Sequence, residues 1–122
     1  MDISIIVEGK NDRRKLQKLL NDQIRIHCTY GTPGSNQLQR LGLELRHDEV
    51  YLFTDNDSSG KKIRALLSDL FPDATHMYTR RGYNGVEGTP DEYLILQIEK
   101  AGLAEYLRDI ANPATLWLKD EF

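Results

Sequence analysis

Two apolar runs in this chain end abruptly on carboxylates, and those two handovers constrain the fold more than any other feature. Val50-Tyr51-Leu52-Phe53-Thr54 fits a buried strand and stops at Asp55-Asn56-Asp57, with a helix-start signal in Ser58-Ser59-Gly60 directly behind it. Far upstream, Ile3, Ile5, Ile6 and Val7 form another run, which stops at Glu8-Gly9-Lys10-Asn11-Asp12. A strand that passes straight into a helix leaves its last side chains on the rim of an open α/β sheet, the edge where ligands bind.

The rest of the chain alternates in the same way. Leu16, Leu19 and Leu20 give an apolar stripe to a helix over residues 11–21, followed by a strand over 24–29. Gly31-Thr32-Pro33-Gly34 breaks the chain, and Ser35 is a good N-cap for a helix burying Leu38, Leu41 and Leu45. After the third strand, Ile63, Leu66, Leu67 and Leu70 fall at helical spacing, until Phe71-Pro72-Asp73 ends that helix. A fourth strand is expected over 75–78. The order implies parallel strands joined by crossover helices, so the predicted class is α/β, with a central parallel sheet of about four strands flanked by helices. The glycine-rich stretch 80–88 reads as a loop with no stripe to bury. Thr89, Pro90 and Glu92 then mark a helix start, with Thr89 as cap and Glu92 placed for a capping box. Two short helices, 93–100 and 103–110, are expected on either side of Gly102. The segment around Leu116, Trp117 and Leu118 is open between burial against the domain and a self-association patch that would make a homo-oligomer.

At 122 residues the chain suits one domain, with a core over about 1–90 and a helical extension over about 90–122. No apolar stretch reaches the ~18–20 residues of a membrane span, and Met1-Asp2-Ile3 lacks the basic flank of a signal peptide, so a cytoplasmic protein is expected. The single cysteine, Cys28, excludes an intrachain disulfide and reads as a buried structural thiol. Net charge is −3, yet residues 1–86 hold 13 basic against 11 acidic side chains while residues 87–122 hold 3 against 8. The basic residues sit beside the acidic motifs: Lys10, Arg13, Arg14, Lys15 and Lys18 after Glu8, then Lys61, Lys62 and Arg64 after Asp57, and Arg80 and Arg81 in the later loop. This distribution suits a phosphate-bearing substrate approaching a metal, and equally the solvated outer faces of helices.

Mg²⁺ takes oxygen ligands, keeps several waters, and is usually held by one or two carboxylates plus substrate phosphates. Asp55 and Asp57 are that minimal holder, since residues i and i+2 of an extended segment point the same way. Two anions crowded without a cation would raise a pKa, which favours metal over an empty pair. Ser58 or Ser59 can cap the following helix, whose N-terminal amides favour a phosphate. An EF-hand loop starting at Asp55 would place Leu66, not a bidentate Glu, at its twelfth position. A phosphatase with an Asp nucleophile needs a larger chain and another acidic motif. Glu8-Gly9-Lys10 is not a P-loop, and His27, His47 and His76 lack zinc-ligand spacing.

Ile5-Ile6-Val7-Glu8-Gly9-Lys10 and Leu52-Phe53-Thr54-Asp55-Asn56-Asp57-Ser58-Ser59-Gly60 together resemble the Toprim domain, over residues 1 to about 90. Toprim domains occur in topoisomerases, DnaG-type primases, OLD-family nucleases, RecR-type recombination proteins and a bacterial ribonuclease that matures a small ribosomal RNA. The likeness to that ribonuclease extends to Asp12 after the Glu-Gly-Lys and to Gly85-Val86-Glu87 after the fourth strand. The expectation is a small stand-alone Toprim protein without the ribonuclease's further C-terminal region. The resemblance implies a Rossmann-like fold and a Mg²⁺ site, with Mn²⁺ as the alternative ion, built by Asp55 and Asp57 and open to Glu8. It implies that Glu8 otherwise serves as general acid or base in phosphoryl transfer. Lys10, Lys61, Arg80 and Arg81 are the candidates for phosphate or nucleic-acid contact, and Asp12 and Glu87 are the weaker acidic candidates. Three activities stay open: a Mg²⁺-dependent nuclease on structured RNA or DNA, a non-catalytic nucleic-acid or partner-binding module of the RecR kind, and primase-like nucleotidyl transfer. A topoisomerase would need a separate tyrosine-bearing domain.

Overall fold

In the computed structural model, residues 1–109 are described, and they form a four-stranded parallel sheet in the order β2-β1-β3-β4. The elements alternate as β1 (Ile3–Val7), α1 (Lys10–Leu19), β2 (Ile24–Cys28), α2 (Ser35–Glu44), β3 (Glu49–Leu52), α3 (Ser58–Leu70), β4 (Thr75–His76) and α4 (Asp91–Lys100). A 3-10 turn follows at Ala104–Tyr106.

The sheet carries one core on each face. Ile5, Val7, Tyr51 and Phe53 pack with Leu16 and Leu20 next to α1 and with Leu94 and Ile98 of α4. Ile6, Val50 and Leu52 pack with Leu41 and Leu45 at α2 and with Ile63 and Leu67 of α3. β1 is apolar at four of five positions because both of its faces are covered. Ser4 is the exception, and its hydroxyl donates to Asp48 at 2.8 Å and lies 3.2 Å from His27 Nε2. Each fully buried aliphatic or aromatic side chain contributes about 1.5–3 kcal/mol.

A buried cation holds β3 against β4. The Arg64 guanidinium donates to the carbonyls of Leu52 (3.2 Å), Thr54 (3.1 Å) and Met77 (2.6 Å) and lies 3.0 Å from His76 Nδ1. It also stacks over the Tyr78 ring, 4.3 Å from its centroid. The fourth strand is only two residues long, so these side-chain bonds replace the ladder bonds that a longer strand over 75–78 would have made. Arg64 is thereby removed from the basic cluster expected after Asp57.

The helix caps differ from the sequence reading. Gly34, in extended backbone, caps α2, and Ser35 is its first helical residue. Asp57 caps α3 in place of Ser58 or Ser59, its Oδ1 accepting from the Gly60 amide at 2.6 Å. A carboxylate at that position satisfies an orphan amide and opposes the positive end of the helix dipole. Pro90 caps α4 without a side-chain bond, so no capping box forms at Glu92. Thr89 is buried, and its hydroxyl donates to the Gly85 carbonyl at 2.6 Å. Among the described residues the second C-terminal helix is the 3-10 turn alone, after which Arg108 donates its amide to Leu19 O and Leu107 bridges to Leu20. Trp117 and its neighbours lie outside the described residues. Cys28 is half-buried, and its thiol donates to Glu8 O at 3.1 Å. Burial pushes that thiol up from its ordinary pKa.

Candidate metal and phosphate site

β1 and β3 are adjacent and parallel, so their carboxyl ends deliver Glu8 and Asp55 to one rim. The chain leaves β1 toward β2 on one side while β3 lies on the other, which makes this the topological switch point of the sheet. The two residues touch: Glu8 Oε1 accepts from the Asp55 amide at 2.8 Å. Asp55 Oδ1 accepts from the Val86 amide at 3.2 Å, and Asp57 caps α3 next to it. Asp55 is half-buried and Asp57 exposed.

Asp12 and Glu87 belong to the same cluster. Asp12 is buried at the third position of α1, its Oδ2 accepting from the Gly9 amide and its Oδ1 from the Glu87 amide, each at 3.0 Å. The Glu87 carboxylate accepts from Asn11 Nδ2 at 3.1 Å. Both Asp12 oxygens are therefore committed to backbone amides, and Asp12 acts as a strut between α1 and the loop after β4. Lys15 completes the strut by donating to Glu87 O at 3.1 Å and to Thr89 O, and it lies 3.9 Å from Asp91. The 80–88 loop, which has no apolar stripe, is nevertheless anchored through a fully buried Val86.

Glycine is required where the loop and α3 approach the acids. A Cβ on Gly60 would collide with the Asp55 carbonyl and come within 2.7 Å of Glu8 Oε1. Gly85 has φ +68, and a Cβ there would collide with the Asp55 carboxylate.

Electrostatics mark the cluster as one of unneutralised charge. Glu8 is raised above its ordinary pKa chiefly by burial and then by the nearby Asp55, Asp57 and Asp12 charges, against the lowering effect of the Asp55 amide. Burial raises Asp12 and Asp55 as well, with neighbouring carboxylates adding to it. A cation at this rim would reverse those shifts.

The donor set fits a hard divalent ion. Among the described residues, Glu8 Oε2, Asp55 Oδ2 and Asp57 Oδ2 receive no hydrogen bond, while the opposite oxygen of each carboxylate does. Among the same residues, no three histidine, cysteine or acidic side chains are grouped to hold one ion together. Two carboxylates completed by water and phosphate match what Mg²⁺ accepts; an all-protein cage is not built.

Two cavities meet at this rim. One, of about 280 Å³, is lined by Asp55, Asp57, Lys61, Arg80, Arg81 and Tyr83. The other, of about 320 Å³, is lined by Glu8, Asp12, Tyr30 and Glu87, and both include Asp55 and Asn84. Lys61, Arg80 and Arg81 therefore lie beside the acids as expected from sequence. Lys10 is exposed in the first turn of α1 and lines neither cavity.

Tyr30 is a functional candidate that periodicity and charge did not expose. It is 70% exposed, and among the described residues it is the one non-glycine with positive φ, at 56°. Such a conformation costs about 1–3 kcal/mol. It is pinned by its amide, which donates to Glu8 O at 2.8 Å. The adjoining Gly31 also has positive φ.

Comparison with known proteins agrees with this geometry. The Toprim domain family pattern matches residues 4–83. A solved structure described as a small TOPRIM domain protein from Bacillus stearothermophilus superposes with a TM-score of 0.81 at 34% identity, over 91% of this chain and 92% of that one. The uncharacterized protein YusF of Bacillus subtilis is 37% identical over 99 residues, 81% of this chain and 68% of its own length. Ribonuclease M5 of Bacillus anthracis is 31% identical over 74 residues, which is 61% of this chain but only 40% of the ribonuclease. Together with the paired acidic strand ends, the family match over most of the sheet establishes that this chain belongs to the Toprim domain family.

Proposed function

We propose that this chain is a Mg²⁺-dependent phosphoryl-transfer protein acting on nucleic acid, and that its reaction is hydrolysis of a phosphodiester in RNA or DNA. The observation that carries this reading is the Glu8–Asp55 contact, which sets a carboxylate of raised proton affinity against two others with free oxygens at a sheet switch point. The likeness to ribonuclease M5 over 74 residues supports a nucleic-acid substrate.

Asp55 and Asp57 would hold the ion, and when bound it would neutralise charge on the phosphate oxygens. Lys61, Arg80 and Arg81 line the same cavity and would bind flanking phosphates as point charges or forks. Glu8 is oriented through Oε1 by the Asp55 amide, which leaves Oε2 to take or give a proton at the attacking or leaving oxygen.

A metal-titrated cleavage assay over folded RNA, single-stranded DNA and duplex DNA tests this directly. Cleavage that depends on Mg²⁺ or Mn²⁺ and disappears in Asp55→Asn and Glu8→Gln is expected; cleavage persisting in both variants would sink the reading. A second reading, a binding module without turnover, draws on the missing third ligand among the described residues. It predicts salt-sensitive nucleic-acid binding with no product under any metal.

A further inference from the structure

A large cavity lies away from the acidic rim, along the outer edge of β2. It measures about 650 Å³, and its floor is the strand itself, from Ile24 to Cys28. Among the described residues β2 ends the sheet, and no strand of theirs lies along its outer edge. Helix α1 forms one wall through Arg13 and Gln17, and α2 forms the other through Gln37 and Arg40.

Charge selects the occupant of this groove. Four arginines line it, against two carboxylates, Asp22 and Glu44. Arg25 pairs with Asp2 at 3.1 Å and Arg108 with Asp22 at 3.0 Å. Arg13 and Arg40, one on each wall, have no ion-pair partner among the described residues. The Arg13 Nε–H is moreover buried with no acceptor among the described residues. A second copy of the chain laid edge to edge would bring like charge against like charge, so the groove suits an extended anion.

Tyr30 joins this groove to the acidic rim. Tyr30 lines both the 650 Å³ cavity and the cavity holding Glu8, Asp12 and Asp55. On the far side of Asp55 the path continues past Arg80 and Arg81 to Tyr83, which packs on Tyr93 with ring centroids 5.5 Å apart. Exposed aromatic faces set between arginines are the features that bind unstacked bases and their backbone. Bases in a duplex are already stacked and offer no face to such a ring.

We infer that a single-stranded nucleic acid runs from the acidic rim over Tyr30 into the β2-edge groove, its phosphates held between Arg13 and Arg40. This rests on the proposed nucleic-acid reading of the rim and assigns it an unpaired strand as the substrate arm.

The test uses the full chain and labelled oligo-uridine and oligo-thymidine of about four and about twelve nucleotides, lengths within the range of single-strand footprints. Anisotropy in metal-free buffer is read across a salt series, with a duplex of the longer length as comparison. The longer strand should bind at least about tenfold more tightly than the shorter one, and more tightly than the duplex. In R13A/R40A this length advantage should vanish, and the log–log salt slope should fall by about 1.4, two phosphates at ~0.7 each. Tyr30→Asn, which tolerates the left-handed backbone, should weaken the longer strand about fivefold or more, whereas Tyr30→Phe should retain wild-type binding. Circular dichroism of each variant controls for folding. Affinity independent of length, or an R13A/R40A slope equal to wild type, overturns the track; metal-dependent cleavage would then still stand. Arginine-dependent, length-dependent binding without cleavage under any metal supports the track and removes the catalytic reading instead.

Discussion

The Glu8 carboxylate accepts a hydrogen bond from the Asp55 amide across 47 residues of sequence, at 2.8 Å. One oxygen of Glu8 therefore sets the geometry of the rim while the other faces outward. Glutamine can present the same carbonyl to that amide but cannot exchange a proton. Glu8→Gln should keep the melting temperature within a few degrees of wild type and lower cleavage by about 10²–10⁴-fold. Full cleavage in that variant, measured at saturating metal, would falsify a proton-transfer role.

Gly60 and Gly85 hold the backbone against Asp55 without side chains. Alanine at Gly60 must displace the Asp55 carbonyl and Glu8, and alanine at Gly85 must also adopt a left-handed backbone. Each substitution should cost about 1–3 kcal/mol in urea unfolding and abolish metal-dependent cleavage. A stable, fully active Gly60→Ala would mean that the close approach is not required.

Two basic residues of α3 separate sharply in role. Arg64 serves three buried carbonyls, so Arg64→Met leaves them without donors and should destabilise by about 3–5 kcal/mol. Lys61 is exposed in the 280 Å³ cavity, and Lys61→Ala should change stability by less than about 0.5 kcal/mol. Its effect should appear as a salt slope for nucleic-acid binding about 0.7 shallower, one phosphate contact fewer. Denaturant titration and anisotropy on the two variants check the division.

Lys15 fastens the loop that supports Asp55. Lys15→Met removes the donor to Glu87 O and Thr89 O, and should cost about 1–3 kcal/mol while accelerating amide exchange at Val86 and Glu87. Exchange rates equal to wild type at those two amides would show that Val86 packing alone holds the loop.

Glu8, Asp12 and Asp55 all have raised pKa values in the folded chain. The folded state then retains protons that the unfolded state has already released. The contribution of these three groups to metal-free stability is accordingly fully present below the unfolded carboxylate pKa values and is lost as pH rises from there through the raised folded values. A divalent ion binds the ionised carboxylates, so Mg²⁺ should raise the melting temperature at neutral pH, much less near pH ~4, and release protons on binding. Thermal melts across pH with Mg²⁺ or EDTA read both effects. A metal-induced shift that is independent of pH would place the ion elsewhere.

The parallel sheet and its acidic rim were legible in the chain because they depend on residue order. Apolar runs that lose their polar alternation announce strands buried on both faces, and a carboxylate directly after such a run has nowhere to go but the sheet edge. Local capping chemistry was less legible. Several polar residues compete at each helix start, and the winner depends on backbone angles: extended Gly34 caps α2 ahead of Ser35, and Asp57 caps α3 ahead of Ser58. The short fourth strand was misjudged because Arg64, thirteen residues before Met77, supplies the bonds that more strand would have made.

From the sequence alone came the α/β class, the family resemblance, and the pairing of Glu8 with Asp55 and Asp57, since these follow from periodicity and from motifs read along the chain. Only the tertiary structure decided that Asp12 is a strut, that Arg64 is internal, that Lys15 and Val86 anchor the loop, and that Tyr30 bridges the rim and the β2 groove. Each of those roles is fixed by partners far away in sequence, whether a carbonyl, an amide or a neighbouring wall. A residue's own letter states which bonds it can make, and the fold determines which of them it is offered.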